Sequence, residues 1–520
     1  MTIVVTKTPE QEDLSRLIIA NPYPTPIEDL RPTPPPSTQI GSAPLSRRHT
    51  PLRSRERGRD SETPNGERFF ARKQNIPGDQ TNHTGAREIS PSLLHFSFGG
   101  VPDTSQHSTA APPVMACGGG GESEAERRAA LLREITEEGG FAFVASAEKA
   151  AAGDLRAAEA AREMAWEQLH SGPWSEVGSA WRDAYALACL HVARLRRAAA
   201  DRRAALRALD MGLIMGGNLL RADLEAALAS IAAEPSDGEG DGAEAVDEEA
   251  NRWREGLDRN RDIADALKIL PTKSLSCKEI ARRSCISLEE FICDHFLPET
   301  PVIISGCIDH WPAMTKWKNI QYLKKIAGDR TVPVEVGKSY VCSEWKQELI
   351  TFSQFLERMW STACPSNLTY LAQHPLFEQI KELHEDIMVP DYCYAGGGEL
   401  QSLNAWFGPH GTVTPLHHDP HHNILAQVLG RKYIRLYPGS VSEDLYPHTE
   451  TMLSNTSQVD LDNVDMNEFP KVENLDFMDC ILEEGDMLYI PPKWWHYVRS
   501  LSISFSISFW WRTTVISPSA

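Results

Sequence analysis

The spacing of apolar residues changes character twice along the chain. Between about 120 and 234, Trp181, Tyr185, Ala188, Val192 and Leu195 recur at i, i+4, i+7, i+11 and i+14, on one stripe of a helix. Ala, Leu, Arg and Glu dominate this stretch and Gly and Pro are sparse, which predicts several helices with that stripe in a bundle core. No fixed period is strong enough to predict a solenoid. After about 266, short β-branched and aromatic runs alternate with turn residues: Val302-Ile303-Ile304, Val332 to Val336, Leu368 to Leu371, Ile424 to Val428, Tyr433 to Tyr437 and Met487 to Ile490. Such punctuation predicts strands. From Ile503 to Phe509 apolar residues and serines alternate strictly, so one face packs inward and the other lines something polar or solvent. An antiparallel sandwich or barrel follows, and the fold class is α+β with an N-terminal α-helical domain.

The flanking segments read differently. Residues 1–114 are rich in Pro, Ser, Thr and Arg and are expected to be a disordered extension, with Met115 an alternative start. The arginines at Arg47, Arg48, Arg53, Arg55, Arg57 and Arg59 form either a solvated tail or a nuclear-import or anion-binding tract. The helical domain is expected over 115–234, an acidic, glycine-rich linker over 235–265, and the strand-rich domain over 266–520.

Composition narrows the function classes. The 520 residues hold 52 Lys and Arg against 72 Asp and Glu, a net charge of −20, which disfavours a general grip on nucleic-acid phosphates and any sequence-specific nucleic-acid role. Ten cysteines without a CxxC pair suggest neither a disulfide framework nor a thiolate zinc cluster, and a reducing compartment. No run approaches a membrane span or a secretory signal. A soluble intracellular protein is expected.

Five of the 17 histidines fall between His410 and His422. On an extended strand His417 and Asp419 point to the same side while His418 faces away. One imidazole and one carboxylate need a third donor to make a two-histidine, one-carboxylate triad, and His496, 77 positions after Asp419 at the entry to an expected strand, is the natural candidate. Such a triad leaves coordination sites for a chelating cosubstrate and dioxygen, whereas zinc more often takes a closed tetrahedral set. His418, His421 and His422 are read as surface or supporting residues, with one of them a ligand as the alternative.

Several motifs then combine. Asn404-Ala405-Trp406-Phe407-Gly408, Thr414 to Pro420, Gly430-Arg431-Lys432-Tyr433, Asn455 to Asp460 and Trp495-His496-Tyr497-Val498 resemble the JmjC-domain Fe(II)- and 2-oxoglutarate-dependent oxygenases over roughly 266–520, and more weakly over 120–234. The resemblance implies a double-stranded β-helix, a cupin-like jelly roll. It implies His417, Asp419 and His496 as iron ligands, with 2-oxoglutarate and dioxygen as cosubstrates. Lys432 would neutralise the distal carboxylate of 2-oxoglutarate, with Tyr370, Thr414 and Asn423 completing the pocket; Thr414 stands where the family often has serine and keeps the hydroxyl.

A cationic substrate side chain needs an acidic partner and flat aromatic walls. Glu335 and Trp406 lead that assignment, with Tyr340, Trp345 and Trp511 as further candidates, the last two being equally readable as core. A guanidinium suits a carboxylate fork better than a methylated ammonium does, so C3 hydroxylation of arginine in target proteins ranks first and histone methyl-lysine demethylation second. The expected partners are proteins presenting arginine or methyl-lysine, chromatin-associated ones included, and the expected location is the nucleus with the cytoplasm as a second compartment. A catalytically silent barrel, acting as a scaffold through the helical domain, is the alternative of another class.

Overall fold

The computed structural model of the protein describes residues 123–173, 176–232, 243–258, 268, 270–276, 278–342, 344–359, 368–449 and 453–513. The extension expected over 1–114, with its arginine tract, lies outside the described residues.

The helical domain comprises α1 (Glu124–Glu137), α2 (Phe141–Ala151), α3 (Leu155–Leu169), α4 (Ser179–Ala198), α5 (Arg202–Met215) and α6 (Arg221–Ala232). Local chemistry sets the starts. Ser123 and Glu126 form a capping box at α1, while Asp154 and Asp201 cap α3 and α5 by accepting from Ala157 and Ala204 N–H. On α4, Tyr185, Ala188 and Val192 are buried, and Trp181 and Leu195 pack against the same core from half-exposed positions. The stripe is thus the bundle seam. Fully buried alanines, Ala158, Ala161 and Ala165 on α3 with Ala184 and Ala188 on α4, let the helices approach closely.

The stretch expected as a solvated linker behaves differently in part. Within it α7 (Ala243–Asp258) is helical, and Trp253 is 1% exposed in the core of the strand domain, edge-on to Phe407 with ring centroids 6.2 Å apart. Glu249 bonds Gln321 and Lys324. An acidic composition does not prevent docking, since one tryptophan supplies the apolar surface for it.

The strands are β1 (Lys278–Glu279), β2 (Arg282–Ser284), β3 (Val302–Ser305), β4 (Thr331–Val336), β5 (Lys346–Thr351), β6 (Thr369–His374), β7 (Glu399–Gly408), β8 (Val413–His418), β9 (His422–Leu429), β10 (Lys432–Tyr437), β11 (Met478–Leu482), β12 (Asp486–Ile490), β13 (Trp495–Ser500) and β14 (Ser504–Arg512). One sheet runs β1-β11-β10-β13-β8 and the other β2-β3-β12-β9-β14-β7-β6-β4-β5. From β7 to β10, and again from β11 to β14, successive strands alternate between the sheets. That alternation winds the chain into a double-stranded β-helix, as expected.

Residue parity decides what faces the barrel interior. Ile434, Leu436, Leu425, Leu488, Ile490 and Val498 meet inside, and Lys432 shares the parity of Ile434 and Leu436. On β14, Phe505, Ile507 and Phe509 join the large outer core, whereas Ser504, Ser506 and Ser508 are 0–1% exposed and face inward: Ser504 and Ser506 bond Gln427, and Ser508 bonds Trp406. The serine face therefore lines a polar interior rather than solvent. Gly430, at φ +69, closes the β9–β10 turn; a Cβ there would lie 1.9 Å from the Ile503 carbonyl oxygen.

A buried carboxylate joins the helical domain to the barrel. Asp210 of α5, fully buried, accepts from Arg330 Nε and Nη2 at 2.9 and 2.7 Å, from Thr331 N–H at 2.6 Å and from Gln379 Nε2 at 2.8 Å.

Candidate metal centre

The site is built where β8, β13 and the turn after β8 meet at the barrel mouth. His417 lies directly opposite His496 across the β8–β13 pair, their ring centroids 4.1 Å apart. Asp419 Oδ1 is 3.8 Å from His417 Nε2 and Oδ2 is 3.5 Å from His496 Nε2. One donor atom from each of the three residues lies within 4.8 Å of the others, and all three residues are buried.

A β-bulge creates this arrangement. Three residue steps separate His417 from Thr414 on β8, but their partners His496 and Val498 on β13 are only two steps apart. The extra residue breaks the alternation, so Thr414 and His417, which a regular strand would send to opposite faces, both line the cavity. Leu416 is left in the outer core.

Both rings are oriented by their own strands. His417 Nδ1 bonds the Pro415 carbonyl at 2.8 Å and His496 Nδ1 bonds the Trp494 carbonyl at 3.1 Å. A ring that donates from Nδ1 keeps Nε2 as a lone pair, the form a metal requires. Burial, then the neighbouring His496, lowers the His417 pKa to about 4 and keeps that ring neutral. Burial alone would raise the Asp419 carboxyl, but the hydrogen bond and charge of His496, with His417, hold it below the usual carboxylate range. Two imidazoles and an ionised carboxylate on one side of an open cavity fit a ferrous ion with coordination sites to spare.

Behind the triad the same cavity is lined by Tyr370, Thr414, Asn423, Lys432 and Ser508. Lys432 Nζ donates to the Tyr370 hydroxyl at 3.3 Å, and Tyr370 bonds Thr414. No carboxylate among the described residues pairs with Lys432, and burial brings its pKa down to about 7. Asn423 Oδ1 is buried with no hydrogen-bond partner among the described residues. A buried lysine without a counter-ion, beside the Tyr370 and Thr414 hydroxyls in one slot, suits the distal carboxylate of a dicarboxylic keto acid. Gly408 makes room for this wall, since a Cβ there would lie 2.6 Å from the Tyr370 ring.

The residues expected around the substrate separate into three places. Glu335 stands opposite Tyr370 in the β4–β6 pair and accepts from Trp345 Nε1 at 3.2 Å. Burial raises its pKa to about 7, the Trp345 hydrogen bond partly offsetting the shift. Tyr340 approaches the centre through Thr456, its hydroxyl 3.5 Å from Thr456 Oγ1, and Thr456 bridges to His417. Trp406 instead lies inside the cavity, 6.2 Å from the Tyr370 ring, with Nε1 bonded to Ser508 at 2.9 Å. Trp511 is not at the site. It is fully buried in the outer core and stacks on His422 at 5.2 Å, because it shares the outward parity of Phe505, Ile507 and Phe509.

His418 faces away from the triad, edge-on to Trp495 at 4.7 Å, and His422 bonds the Tyr489 hydroxyl at 2.9 Å. Neither joins the donor cluster. Asn455 and Thr456 are buried supports that carried no role in the sequence reading: Asn455 donates to the His418 carbonyl at 3.0 Å, and its own carbonyl accepts from His418 N–H at 2.9 Å. Their signal was only their place in the motif spanning Asn455 to Asp460.

Comparison with known proteins agrees with this geometry. Residues 288–516 match the cupin-like domain family, and residues 122–245 match KDM8-like N-terminal ARM repeats. The helical domain is therefore a repeat domain, although no period was evident in its sequence. The chain is 60% identical to lysine-specific demethylase JMJ30 of Arabidopsis thaliana over 403 residues, covering 75% of this chain and 94% of that protein. It is 39% identical to lysine-specific demethylase 8 of Xenopus tropicalis, covering 67% of this chain and 86% of that protein. With Jumonji C domain-containing protein 5 of Drosophila melanogaster the identity is 37%, over 66% of this chain and 84% of the relative. A complete donor triad, a lysine-floored slot and these relatives leave no place for a silent scaffold: the chain belongs to the JmjC-domain 2-oxoglutarate-dependent oxygenases, in the branch that joins KDM8-like ARM repeats to a cupin-like barrel.

Proposed function

We propose that the enzyme hydroxylates cationic side chains of proteins, arginine at C3 first among them. The observation that carries this reading is Glu335. Its half-buried carboxylate sits opposite Tyr370, accepts only one hydrogen bond, from Trp345, and has no basic partner among the described residues. A guanidinium would meet it with a planar two-donor fork and gain charge-assisted hydrogen bonds on a surface already stripped of water.

The chain's own residues have separable tasks. His417, Asp419 and His496 would hold Fe(II), while Lys432, Tyr370, Thr414 and Asn423 would fix 2-oxoglutarate. When bound, the two with dioxygen supply the oxidising chemistry of the family, which inserts one oxygen atom into a C–H bond and releases succinate and carbon dioxide. Glu335 and Tyr340 orient the side chain so that one C–H bond faces the centre, and the apolar interior around Leu425, Ile490 and Val498 excludes water.

Methyl-lysine demethylation is the second reading, favoured by the names of the relatives. It would use the same carboxylate for a methylated ammonium. Nuclear residence with chromatin proteins as partners belongs to either reading, supported by the arginines between Arg47 and Arg59.

The full chain with Fe(II), 2-oxoglutarate and ascorbate, incubated with arginine and methyl-lysine peptides, separates the readings by mass spectrometry. A gain of one oxygen on arginine supports the first. Loss of a methylene from methyl-lysine with release of formaldehyde supports the second. Consumption of 2-oxoglutarate with both peptide classes unchanged would overturn the cationic-substrate reading.

A further inference from the structure

Two cysteines meet on the side of the barrel, away from the metal centre. β2 runs parallel to β3 with Ser284 opposite Ser305, and Cys285 N–H donates to the Ser305 carbonyl at 3.0 Å. The ladder stops there, because Cys285 and Gly306 both take left-handed conformations, with φ of +47 and +76. The turn gathers both thiols on one carbonyl. Cys285 Sγ is 3.6 Å from the Ser305 oxygen and 3.3 Å from that of Gly306, and Cys307 Sγ is 3.8 Å from the Ser305 oxygen. Both sulfurs therefore face the same short stretch of turn backbone.

The turn keeps the two residues close in the backbone as well, since Cys285 N–H bonds the Ser305 carbonyl and Cys307 lies two residues beyond Ser305. For a non-glycine residue the left-handed conformation is uncommon, so the backbone holds Cys285 here at some cost. Tyr392 completes the cluster, its hydroxyl 3.5 Å from Cys307 Sγ and donating to the Ile286 carbonyl at 2.6 Å.

We propose that Cys285 and Cys307 are a reversible redox pair, a dithiol that hydrogen peroxide converts to a disulfide and that an external dithiol reduces. The roles are set by position: Cys285 is exposed and Cys307 half-buried. Burial raises the Cys307 thiol pKa, which leaves Cys285 as the sulfur that meets peroxide first. The Cys285 thiolate attacks one peroxide oxygen, the O–O bond breaks, and sulfenic acid and one water form. Cys307 sulfur then attacks Cys285 sulfur, losing its proton as the S–O bond breaks and a second water leaves. Two electrons and two protons pass from the thiols to the peroxide. The bond closes the segment 285–307, whose Phe291 packs on Tyr392 and Tyr489 with centroids 5.0 Å away in each case.

The test uses the full chain, reduced, freed of reductant and exposed to hydrogen peroxide, then alkylated and peptide-mapped. The expected result is a loss of two hydrogens in intact mass and a cross-linked peptide joining Cys285 to Cys307. Alkylation at both should return after dithiothreitol. Cys285→Ser, an exposed change whose folding is checked by unimpaired 2-oxoglutarate turnover, should abolish the cross-link and leave Cys307 open to alkylation. Conversion of Cys285 to sulfinic or sulfonic acid while Cys307 stays alkylatable would overturn the proposal. So would a cross-link from Cys285 to the exposed Cys293.

Discussion

Lys432 Nζ and the Tyr370 hydroxyl stand 3.3 Å apart inside the barrel, a lysine held by a phenol rather than by a carboxylate. With its pKa lowered to about 7 by burial, Lys432 is substantially neutral in the cosubstrate-free enzyme at neutral pH. A bound dicarboxylate restores the charge and raises that pKa. Because the bound pKa is the higher, affinity for 2-oxoglutarate is complete below pH 7 and falls as pH rises through it, with proton uptake on binding. Titration calorimetry under anoxia, in buffers of different ionisation enthalpy, should show that uptake near pH 8. Lys432→Met should abolish the binding.

Removing a ligand tests the centre itself. His417→Ala or Asp419→Ala should lower succinate release by more than about 100-fold and reduce the iron retained per chain, since losing even an outer partner of a metal ligand costs about 10–100-fold. Both variants should still fold, because each removes a polar group from a site the barrel does not need for packing. Thermal unfolding beside metal analysis checks this.

Glu335 gives a pH dependence of the opposite sense. Its pKa is about 7 without substrate and falls when a cation binds, so substrate affinity is present above pH 7 and lost as pH falls through it. The ratio kcat/KM for an arginine peptide should therefore rise between pH 6 and 8. Glu335→Gln should flatten that rise and increase KM at least tenfold, while 2-oxoglutarate turnover without peptide stays near the parent value.

Asp210 makes its contribution at the domain junction. Asp210→Ala strands the buried Arg330 guanidinium and leaves the Thr331 N–H and Gln379 amide short of an acceptor. A loss of about 3–5 kcal/mol is expected, the usual range for breaking a buried pair from one side. Urea unfolding with barrel and helical-domain probes measures it; a change under about 1 kcal/mol would assign the contact no energetic role.

The candidate donor triad was legible because chemistry restricts such donors to few residue types at short spacings, and His496 because a tryptophan-rich strand entry marked it. Parity explains both a success and a failure on β14. The alternation that revealed the serine face also assigned Trp511 to the outer core, and an expectation built on aromatic character alone missed it. The bulge that turns Thr414 inward left no trace in composition, since it depends on how β8 pairs with β13. The Asp210 network was hidden for a similar reason: its members lie more than 100 positions apart, and nothing local marks Asp210 as buried. The ARM repeats escaped because their period is carried by shape and small residues rather than by a recurring motif.

The docked tryptophan of α7 changes what the connection between the domains can do. Extracting Trp253 from beside Phe407 would return a large aromatic surface to water, at a cost of about 2–3 kcal/mol. Asp210 of α5 ties the helical domain to Arg330, Thr331 and Gln379 at another point. The barrel therefore carries two buried attachments from the chain before it, an aromatic one at α7 and an ionic one at α5.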